Sequence, residues 1–181
     1  TDTFYVGEML QTPDSVVISN NTNLYNSVST FPSPLNSYGK NLKEQYLFRA
    51  SELQAMGIVE GNIKDLSFRI FKINSKNPVY SNYTIKIGTT TAQTLTIWQS
   101  GLQQVYNSTT DSLRYNNPPD TGWKKYNFSQ PFYYDGVSNL VVEVCFSVLN
   151  PTTTATVQTY NSTTPFQSSI SYRNTATSAC L

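Results

Sequence analysis

The stretch 139–149, "NLVVEVCFSVL", keeps Leu140, Val142, Val144, Phe146 and Val148 in strict alternation with the residues between them. A period of two marks a β-strand, because successive side chains point to opposite faces. The same period sets Leu66, Phe68 and Ile70 against Ser67 and Arg69, and Tyr83, Ile85 and Ile87 against Thr84 and Lys86. "QTLTIWQS" places Leu95 and Ile97 on one face and Thr94, Thr96 and Trp98 on the other, which predicts a further strand. Tyr126 and Phe128 form the inward set of "WKKYNFSQPF". "TFYVGEML" and "SVVIS" bracket the turn signal "TPD" as two short strands, and "TATVQTY" and "SSISYRN" close the chain with two more. About eight to ten short strands divided by turn signals predict an all-β fold, an antiparallel β-sandwich of jelly-roll-like size.

One segment breaks this pattern. "ASELQAMGI" predicts a short helix near 51–57, with Ser51 as cap, Gln54 completing a capping box and Gly57 as the left-handed residue that ends it. Such a helix would cover one open end of the β-structure. Residues 20–45 are polar, hold two prolines and read as a long connection anchored on the sandwich by Tyr25, Phe31 and Leu35. Asp135 and Gly136 read as a hairpin turn, and Asp120, after two prolines, as another turn residue. Residues 1–181 suit a single domain, and no segment repeats. The chain opens in strand-like sequence rather than a signal-peptide pattern, which suggests a processed or excised module of a larger protein.

Composition narrows the chemistry. Charged residues make up 13% of the chain, about half the usual ~25%. Ser, Thr and Asn provide 62 of 181 residues and carry solubility instead. Lysines and arginines are scattered around a net charge of +1, so no nucleic-acid partner is expected. No apolar run reaches about 18 residues, so no membrane insertion is expected. The chain contains no histidine, which removes Ser-His-Asp and Cys-His catalysis within it and nearly all zinc sites. A glycosidase pair would have to come from carboxylates such as Glu143, Asp135, Asp120 and Asp111. Two of these read as turn residues and Glu143 as an ordinary outward strand residue, so an enzyme is not expected. No cofactor is expected either, with a structural calcium on loop oxygens as the alternative, though no calcium-loop run is present.

Two constellations remain. Cys145 shares its strand face with Val141, Glu143, Ser147 and Leu149, and Cys180 lies at the C-terminal end. Paired, they would pin the chain end to a central strand and imply an oxidising compartment; unpaired, they are two unrelated thiols, one of them buried. Pairing is the expectation. Trp98 and Trp123 fall opposite the apolar registers, and Tyr133 and Tyr134 precede a turn. These four are candidate sugar contacts, set against the plainer reading of aromatics used on second faces and edges. Asn-x-Ser/Thr sequons occur at Asn20, Asn82, Asn107, Asn127 and Asn161.

The order of motifs resembles a domain of large secreted surface proteins of Bacteroidota, the adhesin-like and gliding-associated proteins exported by the type IX pathway. The resemblance runs through Gln45, Tyr46 and Leu47, then Ala50, Glu52 and Leu53, then Gly61 and Ile63, then 86–88 and 131–143. It covers about residues 36–180 and leaves 1–35 outside. It implies an extracellular β-sandwich module at the cell surface and carries over no catalytic residue. The expected function is a non-catalytic structural or adhesive module of a surface protein or fibre, whose partners are neighbouring domains, copies of the same protein, or glycans. The alternative is a carbohydrate-binding module of a secreted multidomain enzyme. Residues 1–19 are the candidates for strand exchange with a neighbour.

Overall fold

The computed structural model describes residues 4–7, 15–18, 33–37, 39–74, 76–115, 118–151, 157–160, 162–174 and 180. Among the described residues the strands are β1 (Phe4–Gly7), β2 (Ser15–Ile18), β3 (Asn41–Phe48), β4 (Gly61–Ile73), β5 (Val79–Thr90), β6 (Gln103–Ser112), β7 (Gly122–Tyr134), β8 (Asn139–Val148), β9 (Val157–Thr159) and β10 (Ser169–Asn174), with one helix, α1 (Ala50–Ala55). They form two antiparallel sheets. One has the order β10-β3-β8-β5-β6, and the other β2-β1-β4-β7 with β9 also on β4. From β3 onward the chain switches sheets at every connection except the β5–β6 hairpin. This is the winding of a jelly-roll-like sandwich, as the strand count and lengths led us to expect.

The period-two residues meet between the sheets. Leu66, Phe68, Ile70, Tyr83, Ile85, Ile87 and the five alternating residues of β8 are all buried in one cluster. Tyr83 ties the layers together: it stacks on Tyr126 of the facing sheet at 5.1 Å between centroids and on Phe146 at 5.2 Å. Its hydroxyl donates to the Pro34 carbonyl at 2.8 Å, and that of Tyr80 to the Leu35 carbonyl at 2.5 Å. Segment 33–37 is thereby fastened into the core, with Leu35 fully buried as its anchor. Glu44 also points inward, where both carboxylate oxygens accept the Ser33 N–H at 2.9 Å and one accepts the Tyr46 hydroxyl. Tyr25, Phe31 and the "TPD" turn lie outside the described residues.

Several local expectations are corrected. The stretch 93–100 forms no strand: it lies in the connection from β5 to β6 that arches over the outer face of β3 and β8. Its N–H groups bond singly, Leu95 to the Gln167 carbonyl and Gln99 to the Gln45 side chain, both at 2.8 Å, instead of joining a ladder. Leu95 is buried against Leu47 and Val141, whereas Ile97 is 69% exposed, so the apparent face was not a strand face. β3 and β6 escape the pattern entirely. β3 has Lys43, Glu44 and Gln45 at its centre, and β6 is an edge strand with Val105 as its buried residue.

The helix begins at Ala50, so Ser51 lies inside it and does not cap. The Glu52 carboxylate accepts the Arg49 N–H at 3.1 Å, the Asn139 side chain accepts the Ala50 N–H at 2.8 Å, and Gln54 donates to the Gly136 carbonyl at 2.8 Å. Gly57 does end it, at φ +84°, with Ile58 N–H on the Leu53 carbonyl and Gly57 N–H on the Gln54 carbonyl, both 2.9 Å. Leu53 and Ile58 are fully buried beneath this turn, closing one end of the core. The Asp135–Gly136 turn is real but joins no hairpin, because β7 and β8 belong to different sheets. The Asp135 carboxylate accepts the N–H of Val137 at 3.0 Å and of Ser138 at 2.8 Å. Gly136 has φ +75°, and a Cβ there would sit 2.6 Å from the Glu60 nitrogen. Glycine is what lets the crossover pass so close.

Candidate functional site

The strand registers assemble a site on the outer face of the β3-β8-β5 sheet. Gln45 and Lys86 flank Glu143, and Lys43 and Thr84 flank Cys145 in the next row. Sequence placed Glu143 outward, where a glutamate would ordinarily be solvated. It faces that way but is 3% exposed, because the 91–102 arch passes beside it and the side chains of Lys43, Gln45 and Lys86 close around it. Burial of a carboxylate requires partners. Glu143 accepts from Gln45 Nε2 at 2.7 Å and pairs with Lys86 Nζ at 3.2 Å and Lys43 Nζ at 3.4 Å. The Gln45 side chain also donates to the Gln99 carbonyl at 2.8 Å, so the same network holds the arch in place.

Beside this network the arch leaves a cleft of ≈ 310 Å³, walled by Trp98 and Leu102 and floored by Glu143, Lys43 and Lys86. Lys43 Nζ lies 5.1 Å from the centre of the Trp98 ring. Two ammoniums against one carboxylate leave the cleft one positive charge in excess. The lysine side chains are 24% and 31% exposed, so their head groups reach the opening.

Trp123 occupies a second cleft, of ≈ 300 Å³, with Asp120, Thr121, Lys124 and Lys125. It belongs to β7 of the other sheet, so the two tryptophans do not build one platform. The Arg69 guanidinium lies 5.8 Å from the Trp123 ring and 4.2 Å from that of Tyr160. Tyr133 and Tyr134 also separate, as neighbours on a strand must. Tyr133 is 56% exposed and donates to Glu60, whose hydrogen bond raises its pKa. Tyr134 is fully buried, donates to the Ser138 carbonyl at 2.7 Å, and is pushed up to about 12 by burial and then by the Asp135 charge. Tyr134 is therefore a core residue and offers no ligand contact, which corrects its candidacy.

The remaining carboxylates each have a local task. Asp120 clasps the β6–β7 loop through Arg114, with Nε at 2.9 Å and the main-chain N–H at 2.8 Å. Burial pushes its pKa up, but the Arg114 hydrogen bonds and charge outweigh this and hold it below the ordinary value. Asp111 pairs with Lys124 at 2.8 Å. Among the described residues no three His, Cys, Asp or Glu side chains gather where they could hold a metal ion, so the calcium alternative gains no residues to name. Among them, too, no helix is long and apolar enough to cross a membrane.

Cys145 and Cys180 are joined in a disulfide with Cα atoms 5.6 Å apart, the pairing expected from the sequence. It lies one row from Glu143 on the same face. Asn82, Asn107 and Asn127 of the sequons are exposed, while Asn20 and Asn161 lie outside the described residues. The sequence marks none of Lys43, Gln45, Lys86 and Gln99 as a site residue, although Gln45 and Lys86 fall within the motifs of the resemblance. The alternation around Ile85 and Ile87 does place Lys86 outward, but no local pattern pairs it with Glu143.

Fold and site together define an all-β, disulfide-bonded sandwich with a cationic, tryptophan-walled cleft on one outer face. No protein-family model, curated protein or solved structure matches the chain.

Proposed function

We propose that this chain is a non-catalytic extracellular module, structural or adhesive, of a large cell-surface protein. The observation that supports it most is the Cys145–Cys180 bond, since disulfides persist mainly in oxidising compartments. The staple fastens the C-terminal segment to β8, the strand at the centre of its sheet. A Ser/Thr/Asn-rich, weakly charged composition and three exposed sequon asparagines fit the same setting. The test is surface labelling of intact source cells with an antibody to the chain, with non-reducing mass analysis of the recovered protein. Surface signal and a bonded cysteine pair are expected. Recovery only from the cytosol with both thiols free would overturn the proposal.

The Trp98 cleft favours a second reading, a carbohydrate-binding module. Sugar sites combine an aromatic wall with a few fixed polar groups, and this cleft has both. Glycan-array binding that is lost in Trp98→Ala would support it; an array with no binding would dismiss it.

A further inference from the structure

We propose that the cleft under Trp98 binds a carboxylated saccharide, a uronic-acid residue of an acidic polysaccharide. This rests on the carbohydrate-binding reading of the cleft and adds the charge of its ligand. Glu143 is buried and fixed by three partners, so it holds Lys43 and Lys86 side by side at the opening. Each ammonium has three donors and directs one at Glu143, which leaves the others for a ligand. A neutral sugar would leave the excess positive charge unanswered, whereas one carboxylate neutralises it. The Trp98 ring walls the cleft with the Lys43 ammonium over its face, 5.1 Å from the ring centre, so a sugar whose carboxylate meets Lys43 lies against the indole. The cleft volume of ≈ 310 Å³ suits one or two sugar units, at the lower end of the roughly 300–1,000 Å³ of ligand pockets.

The lysines act as point donors on a framework that is already charged and ordered. Binding therefore requires little reorganisation of the protein, and Gln45 with Gln99 keeps the arch in register while the ligand enters.

The experiment is calorimetric titration of the whole chain with oligogalacturonate, with its methyl ester and with a sulfated dextran. The free acid is expected to bind at least about tenfold more tightly than the methyl ester, the size of one charge-assisted contact. Lys86→Gln and Trp98→Ala should each weaken it about tenfold. Lys72→Gln, the same charge change on a strand of the other sheet, should leave affinity unchanged. Thermal melts and non-reducing mass establish that each variant is folded, and if Trp98→Ala is not, Lys86→Gln decides. Equal affinity for acid and ester, with Trp98→Ala still damaging, would overturn the carboxylate proposal while the sugar-binding reading stands. Absence of binding to every glycan overturns both. Binding to sulfated dextran that matches the uronate and ignores Trp98→Ala overturns the proposal in favour of a diffuse charge contact.

Discussion

Replacing Cys180 with alanine should destabilise the fold by an amount set mainly by the unfolded chain. The bond links residues 35 apart in sequence. In the chain-entropy model, closing a loop of that size removes about 13 cal/mol/K from the denatured state, or about 4 kcal/mol at 25 °C. The native contacts that gather this loop do not depend on the bond. β9 still pairs with β4, and β10 still pairs with β3 over six positions. The variant should therefore keep native far-ultraviolet circular dichroism and lose stability alone. With a urea slope of about 2 kcal/mol per molar, the midpoint falls by about 2 M, and the melting temperature by about 10 °C. Urea titration followed by tryptophan fluorescence measures this, with reduced wild type as a second route to the same state. A midpoint shift under about 0.5 M in both would refute the argument, because the loop term could not then be acting on the denatured ensemble. Loss of sheet content in the folded variant would refute it differently, by showing that the staple holds the native structure itself.

Burial raises the pKa of Tyr80, Tyr83 and Tyr126 well above 10.0, and that of Tyr134 to about 12. A folded pKa above the unfolded one gives stability that is whole below pH 10 and lost as pH rises through the folded values. At least these four of the 13 tyrosines should ionise only with cooperative unfolding, and smooth titration of all 13 near pH 10 in a native protein would contradict this. Asp135 behaves oppositely. The Ser138 hydroxyl, against a desolvation cost and aided by the Ser138 and Val137 N–H groups, holds it below 3.8, so its contribution is present above that value and fades as pH falls through the folded one. Urea midpoints of Asp135→Asn should accordingly be lower than wild type near neutrality and converge with it in acid; parallel curves would dismiss the idea. Leu53→Ala removes a fully buried side chain under the helix turn and should cost about 2–5 kcal/mol by urea titration, and less than about 1 would mean that the helix end collapses freely into the gap.

How much was legible follows from the range of each signal. The inward sets of β4, β5 and β8 could be read because side-chain parity is local: Val142 and Val144 point the same way whatever their strand pairs with. Glu143 had the correct parity but the wrong environment. Its burial comes from an arch some 45 residues earlier and from side chains of β3 and β5 earlier still, and no window around it contains either. Trp98 was placed by a register that does not exist, since 93–100 resembles a strand in composition but finds no neighbour to pair with. β3 was missed for the reverse reason. Its polar centre breaks the alternation, yet Glu44 is satisfied inside by Ser33 and Tyr46, and Gln45 outside by Glu143.

What the sequence determined by itself is the material of a two-layer β fold: alternating apolar sets, a helix ended by Gly57, a turn at Asp135 and Gly136, and two cysteines with no histidine beside them. These follow from backbone geometry and side-chain chemistry within a few residues. The tertiary structure alone decided which strands share a sheet, that Asp135 turns the chain between sheets, that Tyr134 is core while Tyr133 is surface, and that Lys43, Lys86 and Glu143 meet under Trp98. Those outcomes depend on pairing between residues from 49 (Thr90 with Asn139) to 106 (Asn41 with Ser147) apart, and pairing is a property of the whole packed chain.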